Sequence, residues 1–185
     1  MIKDTLKKAE QLMQNSLTNL ESELAKTRTG RANPELLSQI KVSYYGNNTP
    51  LNQVANINVT DARTLTVVPW EKHIMKDIEK AIMNSDLGLN PNTTSESIRI
   101  HLPLLTKERR QELIKIVKQA AENIRVSIRN ARRDANHVFK QLEKDKEISE
   151  DDVRHAEKES QQLTDKYIKK IDEVLSAKEK DLSSL

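Results

Sequence analysis

The chain has 185 residues, of which 32% are charged and 36% hydrophobic, so it can form one domain or two small ones. The absence of cysteine excludes disulfides, thiolate metal sites and cysteine nucleophiles. The formal net charge is only +3, but residues 106–146 carry 12 Lys or Arg against 6 Asp or Glu, so the basic excess lies in one segment.

No stretch approaches the roughly 20 apolar residues that a membrane-spanning helix needs. The N-terminus also lacks the apolar run of a signal peptide. We therefore expect a cytoplasmic protein that does not bind a membrane.

Helix-breaking residues divide the chain into three parts. Proline costs a helix interior about 3 kcal/mol and glycine about 1 kcal/mol relative to alanine. Residues 1–29 and 104–185 contain neither. We predict a helical domain of residues 1–29 with 106–185, and an inserted small α+β domain of residues 30–105. The eight breakers are Gly30, Pro34, Gly46, Pro50, Pro69, Gly88, Pro91 and Pro103.

The first helix is predicted from about Asp4 to Thr27. Its apolar side chains recur at helical spacing, and Thr29-Gly30 ends it, with Gly30 suited to a C-terminal position of positive φ. The apolar positions are Leu6, Met13, Leu17, Leu20 and Leu24.

The middle segment changes to alternating, strand-like periodicity. A turn is predicted at Gly46-Asn47-Asn48, and a short helix over roughly residues 71–85, where three isoleucines step by four. The predicted strands are centred on Ile40 to Tyr44, Ile57 to Val59, Leu65 to Val67, and Ile98 to Leu102.

The second long helix is predicted over residues 106–146, with Thr106 as its N-cap. At about 1.5 Å per residue it would be about 60 Å long, so it needs partner helices along its length. Its apolar stripe comprises Leu113, Val117, Ala120, Ile124, Ile128, Ala131, Ala135, Val138 and Leu142.

A third helix is predicted from a capping box at Ser149-Glu150-Asp151-Asp152 to near the C-terminus. Together the three helices predict an elongated three-helix bundle. The stripe of the third helix comprises Val153, Ala156, Leu163, Tyr167, Ile171, Val174 and Lys178.

The second helix carries a row of basic residues opposite its apolar stripe, within an arc of about 120° on a helical wheel. One interpretation is contact with a nucleic-acid backbone, because the guanidinium fork matches phosphate oxygens. The other is ion pairing with neighbouring helices in a protein-binding scaffold. We call this set the cationic row: Lys115, Lys118, Arg125, Arg129, Arg132, Arg133, Lys140 and Lys144.

The sequence predicts no catalytic or metal site and no bound cofactor, so we do not expect an enzyme. No glycine-rich phosphate loop exists. The acids at 150–152 are better explained as a helix cap, and Trp70 as a packing residue. The four histidines are scattered, with no carboxylate or second histidine at ligand spacing: His73, His101, His137 and His155.

Two short links should join the small domain to the helices. Thr29-Gly30-Arg31 leads into the insert, and Pro103-Leu104-Leu105 leads out of it. Two links side by side form a natural hinge. A rigid, packed junction is the alternative that the two leucines would also support.

Several ordered motifs extend along almost the whole chain, and in them it closely resembles the ribosome recycling factor family. One departure is that a glycine is common before Ile98 in this family, whereas Ser95 stands nearby. The motifs are Arg28-Thr29-Gly30-Arg31-Ala32, Tyr45-Gly46 with Pro50-Leu51, Lys80-Ala81-Ile82 with Ser85-Asp86-Leu87-Gly88-Leu89-Asn90-Pro91, Leu105-Thr106-Lys107-Glu108-Arg109-Arg110, Arg129-Asn130-Ala131-Arg132-Arg133-Asp134-Ala135-Asn136 and Lys144-Asp145-Lys146-Glu147-Ile148-Ser149-Glu150-Asp151.

The resemblance implies an L-shaped, monomeric molecule with a three-helix bundle hinged to a small β/α/β domain. It implies binding to the post-termination ribosome, with the small domain swinging to meet elongation factor G. GTP hydrolysis by that factor would separate the subunits and release mRNA and tRNA. Arg129 and Arg132 match the family's motif and would contact large-subunit ribosomal RNA. The full set of RNA-binding candidates is Arg132, Arg129, Arg133, Arg125, Lys118, Arg28 and Arg31.

Overall fold

The structure is a computed structural model that describes residues 1–27 and 29–184. They form two compact units, Met1–Leu24 with Glu112–Lys180, and Ala25–Gln111 with Asp181–Leu185. Long helices and a small antiparallel sheet make the chain α+β, which confirms the predicted fold class. The predicted domain boundaries, after residues 29 and 105, stay a prediction.

Most of the first unit comes from three long helices, α1 (Ile2–Lys26), α3 (Lys107–Lys144) and α4 (Glu150–Ser183), whose ends at residues 25–26, 107–111 and 181–183 belong to the second unit. Apolar side chains from all three helices meet in one cluster, as an amphipathic bundle requires. The five apolar positions predicted on α1 are all buried, at Leu6, Met13, Leu17, Leu20 and Leu24.

Both predicted N-caps are confirmed. The hydroxyl of Thr106 accepts a hydrogen bond from the Arg109 N–H at 3.1 Å. At the start of α4 the Ser149 hydroxyl accepts from the Asp152 N–H at 3.1 Å, and the Asp152 carboxylate accepts from the Ser149 N–H at 2.9 Å. This reciprocal pair is a capping box with aspartate in place of glutamate.

The reversal between α3 and α4 uses a lysine where glycine is usual. Lys146 has a φ of +58°. Its N–H donates to the Glu143 carbonyl at 2.9 Å, and the Glu147 N–H donates to the Leu142 carbonyl at 2.9 Å. These two bonds form a Schellman motif, which ends α3 without a glycine or proline.

The predicted α3 stripe is wrong at one position. Val138 is 40% exposed, and the neighbouring Phe139 is completely buried. The two residues are about 100° apart on the helix, at opposite edges of the stripe. Because the larger ring buries more apolar area, the core turns towards Phe139.

The core of α4 contains two polar residues that the sequence analysis did not place there. Ser160 is completely buried and Thr164 is 1% exposed. The Ser160 hydroxyl donates to the Asn136 side-chain oxygen at 2.7 Å, and the Thr164 hydroxyl donates to the Ser160 carbonyl at 2.8 Å. Both hydroxyls are therefore satisfied without water.

The second unit contains six antiparallel strands and one helix, α2 (Met75–Met83). β1 and β2 form a hairpin, and the other four strands form a sheet in the order β3-β4-β6-β5. Two strands, β2 and β5, were not predicted. The strands are β1 (Lys41–Tyr44), β2 (Asn47–Pro50), β3 (Ala55–Asp61), β4 (Thr64–Pro69), β5 (Pro91–Thr93) and β6 (Ile98–His101).

The turn between β1 and β2 lies one residue earlier than predicted. Tyr45 and Gly46 are its central residues, with φ angles of +48° and +79°, as a type I′ hairpin turn requires. Asn47 and Asn48 instead pair with β1.

The turn near Ser95 is closed by the Thr94 N–H, which donates to the Ser97 carbonyl at 2.8 Å.

The core of the second unit lies between α2 and the sheet. Alternate residues of β4 and β6 point into it, as the period of two predicts. Trp70 is not part of this core, because it is 60% exposed, so the prediction that it packs is wrong. Members of the core include Leu65, Val67, Ile78, Ile82, Ile98 and Ile100.

Both links are attached to the same hairpin turn of this unit. The Ala32 N–H donates to the Ala62 carbonyl at 2.7 Å, and the Leu102 N–H donates to the Arg63 carbonyl at 2.7 Å.

Since α1 ends at Lys26, Gly30 lies four residues beyond the helix, too far to cap it as predicted.

None of the helices within residues 1–27 and 29–184 combines the length and apolar character that crossing a membrane requires.

Candidate nucleic-acid interface

The cationic row lies on α3, a single helix of 38 residues. At about 1.5 Å per residue, this helix is about 57 Å long. The members of the row differ in how far their charges are already used within the bundle.

Arg125 is the member most engaged with the protein. Its guanidinium donates to the Asp172 carboxylate on α4 at 2.6 Å and to the Glu122 carboxylate at 3.1 Å. The side chain is only 18% exposed. The hydrogen bond with Asp172 is the main cause that raises the pKa of Arg125 above its usual value. Arg125 therefore joins α3 to α4.

Arg129 shares a carboxylate with Arg125. Its guanidinium donates to the other oxygen of Glu122 at 3.1 Å, and its side chain is 40% exposed. The hydrogen bond from Arg129 and then that from Arg125 lower the pKa of Glu122. Two acids match the two arginines, because Arg125 also pairs with Asp172, so the charges balance at this turn of the helix.

Arg132 is positioned by α4 through a neutral side chain. Its Nη1 donates to the Gln161 side-chain oxygen at 2.5 Å. Its buried Nε has no hydrogen-bond partner within the described residues. No acid neutralises this guanidinium through a hydrogen bond or ion pair in the part of the chain that the structure describes. Its charge stays available to a ligand.

Arg133 is exposed and makes no hydrogen bond or ion pair with residues 1–27 or 29–184. The same holds for three lysines of the row, whereas Lys118 lies 3.5 Å from the Glu179 carboxylate. The open charges thus lie along the length of α3. The three lysines are Lys115, Lys140 and Lys144.

Both interpretations of the cationic row find support in this geometry. Arg125 and Lys118 pair with acids of α4, as a scaffold stabilised by ion pairs would require. Arg132 and Arg133 keep unneutralised guanidinium groups, as phosphate binding would require. The sequence analysis missed Asp172 as a partner because it belongs to a different helix.

Two further RNA-binding candidates lie away from the row. Arg28 lies outside the described residues. Arg31 is exposed, and its guanidinium lies 3.9 Å from the Asp181 carboxylate. Its N–H donates to the Thr29 hydroxyl at 3.2 Å. An RNA contact by either arginine stays a prediction.

The candidate hinge residues differ in their surroundings. Thr29 and Leu105 are buried, and Gly30 is buried as well. Leu104 is 59% exposed. Their role as a hinge stays a prediction, because burial alone does not distinguish a hinge from a packed junction.

Two of the four histidines lie beside a carboxylate, contrary to the sequence prediction. His73 Nε2 is 3.2 Å from a Glu71 oxygen, and His155 Nε2 is 3.4 Å from an Asp151 oxygen. The sequence analysis overlooked these spacings of two and four residues. No group of three or more potential metal ligands occurs within residues 1–27 and 29–184.

Comparison with known proteins accounts for this combination of bundle, insert and basic helix. The sequence pattern of the family described as Ribosome recycling factor matches residues 20–182. The chain belongs to the ribosome recycling factor family. This confirms the resemblance on which the sequence analysis relied.

Full-length relatives support the same assignment. The ribosome-recycling factor of Thioalkalivibrio sulfidiphilus (strain HL-EbGR7) is 56% identical over 180 residues, covering 97% of each chain. That of Hahella chejuensis (strain KCTC 2396) is 55% identical over 185 residues, covering 100% of each chain.

Solved structures agree with the fold. A solution structure of the ribosome recycling factor has a TM-score of 0.80 and 38% identity, covering 100% of this chain and 98% of that one. A second match, with a TM-score of 0.71, is 46% identical and covers 98% of each chain. It comes from models for the T. thermophilus ribosome recycling factor and the E. coli elongation factor G bound to the E. coli post-termination complex.

Proposed function

We propose that this protein binds the ribosome after termination and, together with elongation factor G, splits it into subunits, releasing mRNA and tRNA. The observation that carries the proposal is the relative bound with elongation factor G to the post-termination complex, 46% identical over 98% of both chains. GTP hydrolysis by elongation factor G supplies the energy. This protein performs no chemical step and is not an enzyme.

The docking surface is the cationic row, and its target is large-subunit ribosomal RNA. Each Lys or Arg that neutralises a phosphate releases condensed counterions, which makes binding favourable and dependent on salt. The open guanidinium groups of Arg132 and Arg133 are the strongest candidates. Arg129 is 40% exposed and contributes a guanidinium whose acid, Glu122, is shared with Arg125.

We propose that Arg125 and Lys118 stabilise the bundle and do not contact RNA directly. Their ion pairs with Asp172 and Glu179 hold α3 against α4. A helix fixed in this way presents its outward-facing cations with little loss of conformational freedom on binding. We therefore propose that these two residues orient the row, while its unpaired members contact RNA.

The two links are the proposed hinge. Ala32 and Leu102 are tied by backbone hydrogen bonds to Ala62 and Arg63, so they belong to the small unit. Bending then falls on the residues outside these two attachments. We propose the same hinge as the sequence analysis, at Thr29-Gly30-Arg31 on one link and Pro103-Leu104-Leu105 on the other.

The oligomeric state and the cellular location are proposed from the ribosome as the binding partner. The protein acts as a monomer, in the cytoplasm, where bacterial ribosomes are found. The competing proposal is a helical scaffold that binds protein and not RNA. The pairs from Arg125 and Lys118 to acids of α4 are the observations that favour it.

Sucrose-gradient sedimentation of post-termination ribosomes tests the function. With this protein, elongation factor G and GTP, the 70S peak should be replaced by separate subunits. Omitting this protein, or replacing GTP by a non-hydrolysable analogue, should leave the 70S peak. Persistence of that peak in the complete mixture would contradict the proposal.

A substitution in the first link tests the hinge separately. Gly30→Pro restricts the backbone of that link. We expect it to reduce subunit splitting by much more than it reduces co-sedimentation with ribosomes. An equal loss of splitting and binding would argue against a hinge and for a packed junction.

A further inference from the structure

Three of the five aromatic residues of this chain lie on the small unit, and two of them, Tyr45 and Trp70, are exposed. The chain has one Trp, one Phe and three Tyr. Phe139 and Tyr167 are buried in the helical unit. Tyr45 is 72% exposed and Trp70 is 60% exposed, and Tyr44 is half-buried. Tyr and Trp are enriched among the residues that contribute most of the binding energy at protein interfaces.

Two of these aromatic residues share one carboxylate. The Tyr44 hydroxyl donates to Glu71 Oε1 at 2.9 Å, and the Tyr45 hydroxyl donates to Glu71 Oε2 at 3.1 Å. His73 Nε2 lies 3.2 Å from the latter oxygen. The tyrosine rings meet edge to face at 4.5 Å, and the Tyr45 and His73 rings are 6.1 Å apart. We call these four residues the tyrosine–glutamate cluster.

The turn that carries Tyr45 has an unfavourable backbone conformation. Tyr45 has a φ of +48°, a conformation that a residue with a bulky side chain rarely adopts. A type I′ turn favours Asn or Gly at this position. The structure thus retains an unfavourable turn residue whose ring is exposed and whose hydroxyl is fixed by Glu71. Such strain is characteristic of functional positions.

The electrostatics of the cluster identify what it can bind. The hydrogen bond to Glu71 is the largest cause that raises the pKa of both Tyr44 and Tyr45. The two tyrosine hydroxyls occupy one acceptor site on each oxygen of Glu71, and because they are neutral they do not offset its charge. A carboxylate beside exposed aromatic faces is suited to a guanidinium group, which forms both ion pairs and cation–π contacts.

We propose that the tyrosine–glutamate cluster is a docking site for an arginine side chain that a protein partner presents. A phosphate backbone is disfavoured, because the cluster carries a negative charge. The cationic row and the cluster therefore bind partners of opposite charge. This inference rests on the proposed function, since the partner is a protein chain of the post-termination complex.

Photocrosslinking identifies the partner class. A benzophenone amino acid replaces Tyr45 in the full chain, which is bound to post-termination ribosomes with elongation factor G and a non-hydrolysable GTP analogue. The control carries the same group in place of Val59, which is 49% exposed in the same unit. We expect the Tyr45 probe to form a protein adduct whose crosslinked peptide lies next to an arginine.

Three outcomes overturn the inference. RNA adducts alone, or a yield no higher than that of the Val59 probe, would refute protein docking while leaving ribosome binding intact. Failure of both probe proteins to co-sediment with ribosomes would instead refute the proposed function, and this inference with it.

Removal of the charge provides a second test. Glu71→Gln removes the negative charge and keeps one acceptor oxygen, so one tyrosine hydroxyl can still donate and the other must accept from the amide NH2. We expect the concentration of this protein that gives half-maximal splitting to rise about tenfold, as at an interface hot spot. Glu96→Gln, which removes an exposed charge from the β5–β6 turn, should leave it unchanged. Equal behaviour of the two variants would overturn the proposal.

Discussion

The guanidinium of Arg125 donates a hydrogen bond to the carboxylate of Asp172 at 2.6 Å and so joins the middle of α3 to α4. Arg133, two turns further along α3, has no such partner within the described residues. The cationic row therefore contains residues with two different roles. One set holds the helices together, and the other presents charge to the exterior.

Replacement of Arg125 should affect folding more than function. Arg125→Ala removes an ion pair in which Arg125 is 18% exposed and Asp172 is 56% exposed, and we expect the free energy of unfolding in urea to fall by about 1 kcal/mol. A double-mutant cycle with Asp172→Ala should show a coupling energy of similar size. Additive losses in the cycle would mean that the pair contributes nothing to stability.

The turn between α3 and α4 offers a stabilising substitution. Lys146 pays for a left-handed conformation that glycine adopts without strain, so Lys146→Gly should raise the free energy of unfolding by about 1 kcal/mol. Lys144→Gly, within the last turn of α3, should lower it by about 1 kcal/mol. Thermal or urea unfolding measures both changes, and the same sign for both would contradict the Schellman assignment.

The two buried hydroxyls of α4 should differ in their importance. Ser160 bonds across to Asn136 on α3, so Ser160→Ala should cost about 1 kcal/mol of unfolding free energy by leaving a polar partner unsatisfied. Thr164 bonds only within its own helix, so Thr164→Val should change stability by less than that. Equal losses in urea unfolding would show that the hydrogen bond between helices is unimportant.

The N-cap of α4 should make stability depend on pH. The Ser149 N–H and then its hydroxyl lower the pKa of the Asp152 carboxyl. A lowered pKa in the folded state gives stability that is present above the unfolded value of about 3.9 and is lost as the pH falls through the lowered value.

Asp152→Asn tests this dependence. We expect the variant to be less stable than the parent protein at pH 6, and the difference to shrink between about pH 4 and pH 2. Urea unfolding across this range measures it, and a difference that is constant with pH would contradict the proposed cap.

Features that depend on neighbouring residues could be predicted from the sequence. Thr106 and Ser149 cap helices through residues only three positions away, so the sequence around each residue was enough to predict the cap. The spacing of apolar residues was also enough to predict the buried face of α1. By contrast, Val138 and Phe139 occupy opposite edges of one stripe, and the choice between them depends on how the partner helices pack.

Features that join distant residues could not be predicted. Tyr44 and Glu71 are 27 positions apart, and only the folded sheet brings them together. The same applies to Arg125 and Asp172, 47 positions apart. A helical wheel shows where a charge points but not what faces it, so the wheel could not divide the cationic row into paired and open members.

The salt dependence of ribosome binding tests the central claim that open cations of α3 contact phosphates. The dissociation constant is measured between about 50 and 200 mM salt, for the parent protein, Arg133→Ala and Lys158→Ala, which removes an exposed cation from α4. The account predicts steep weakening with salt, and a slope about one unit shallower for Arg133→Ala alone. A flat response, or identical slopes for all three proteins, would contradict it and favour a protein-binding scaffold.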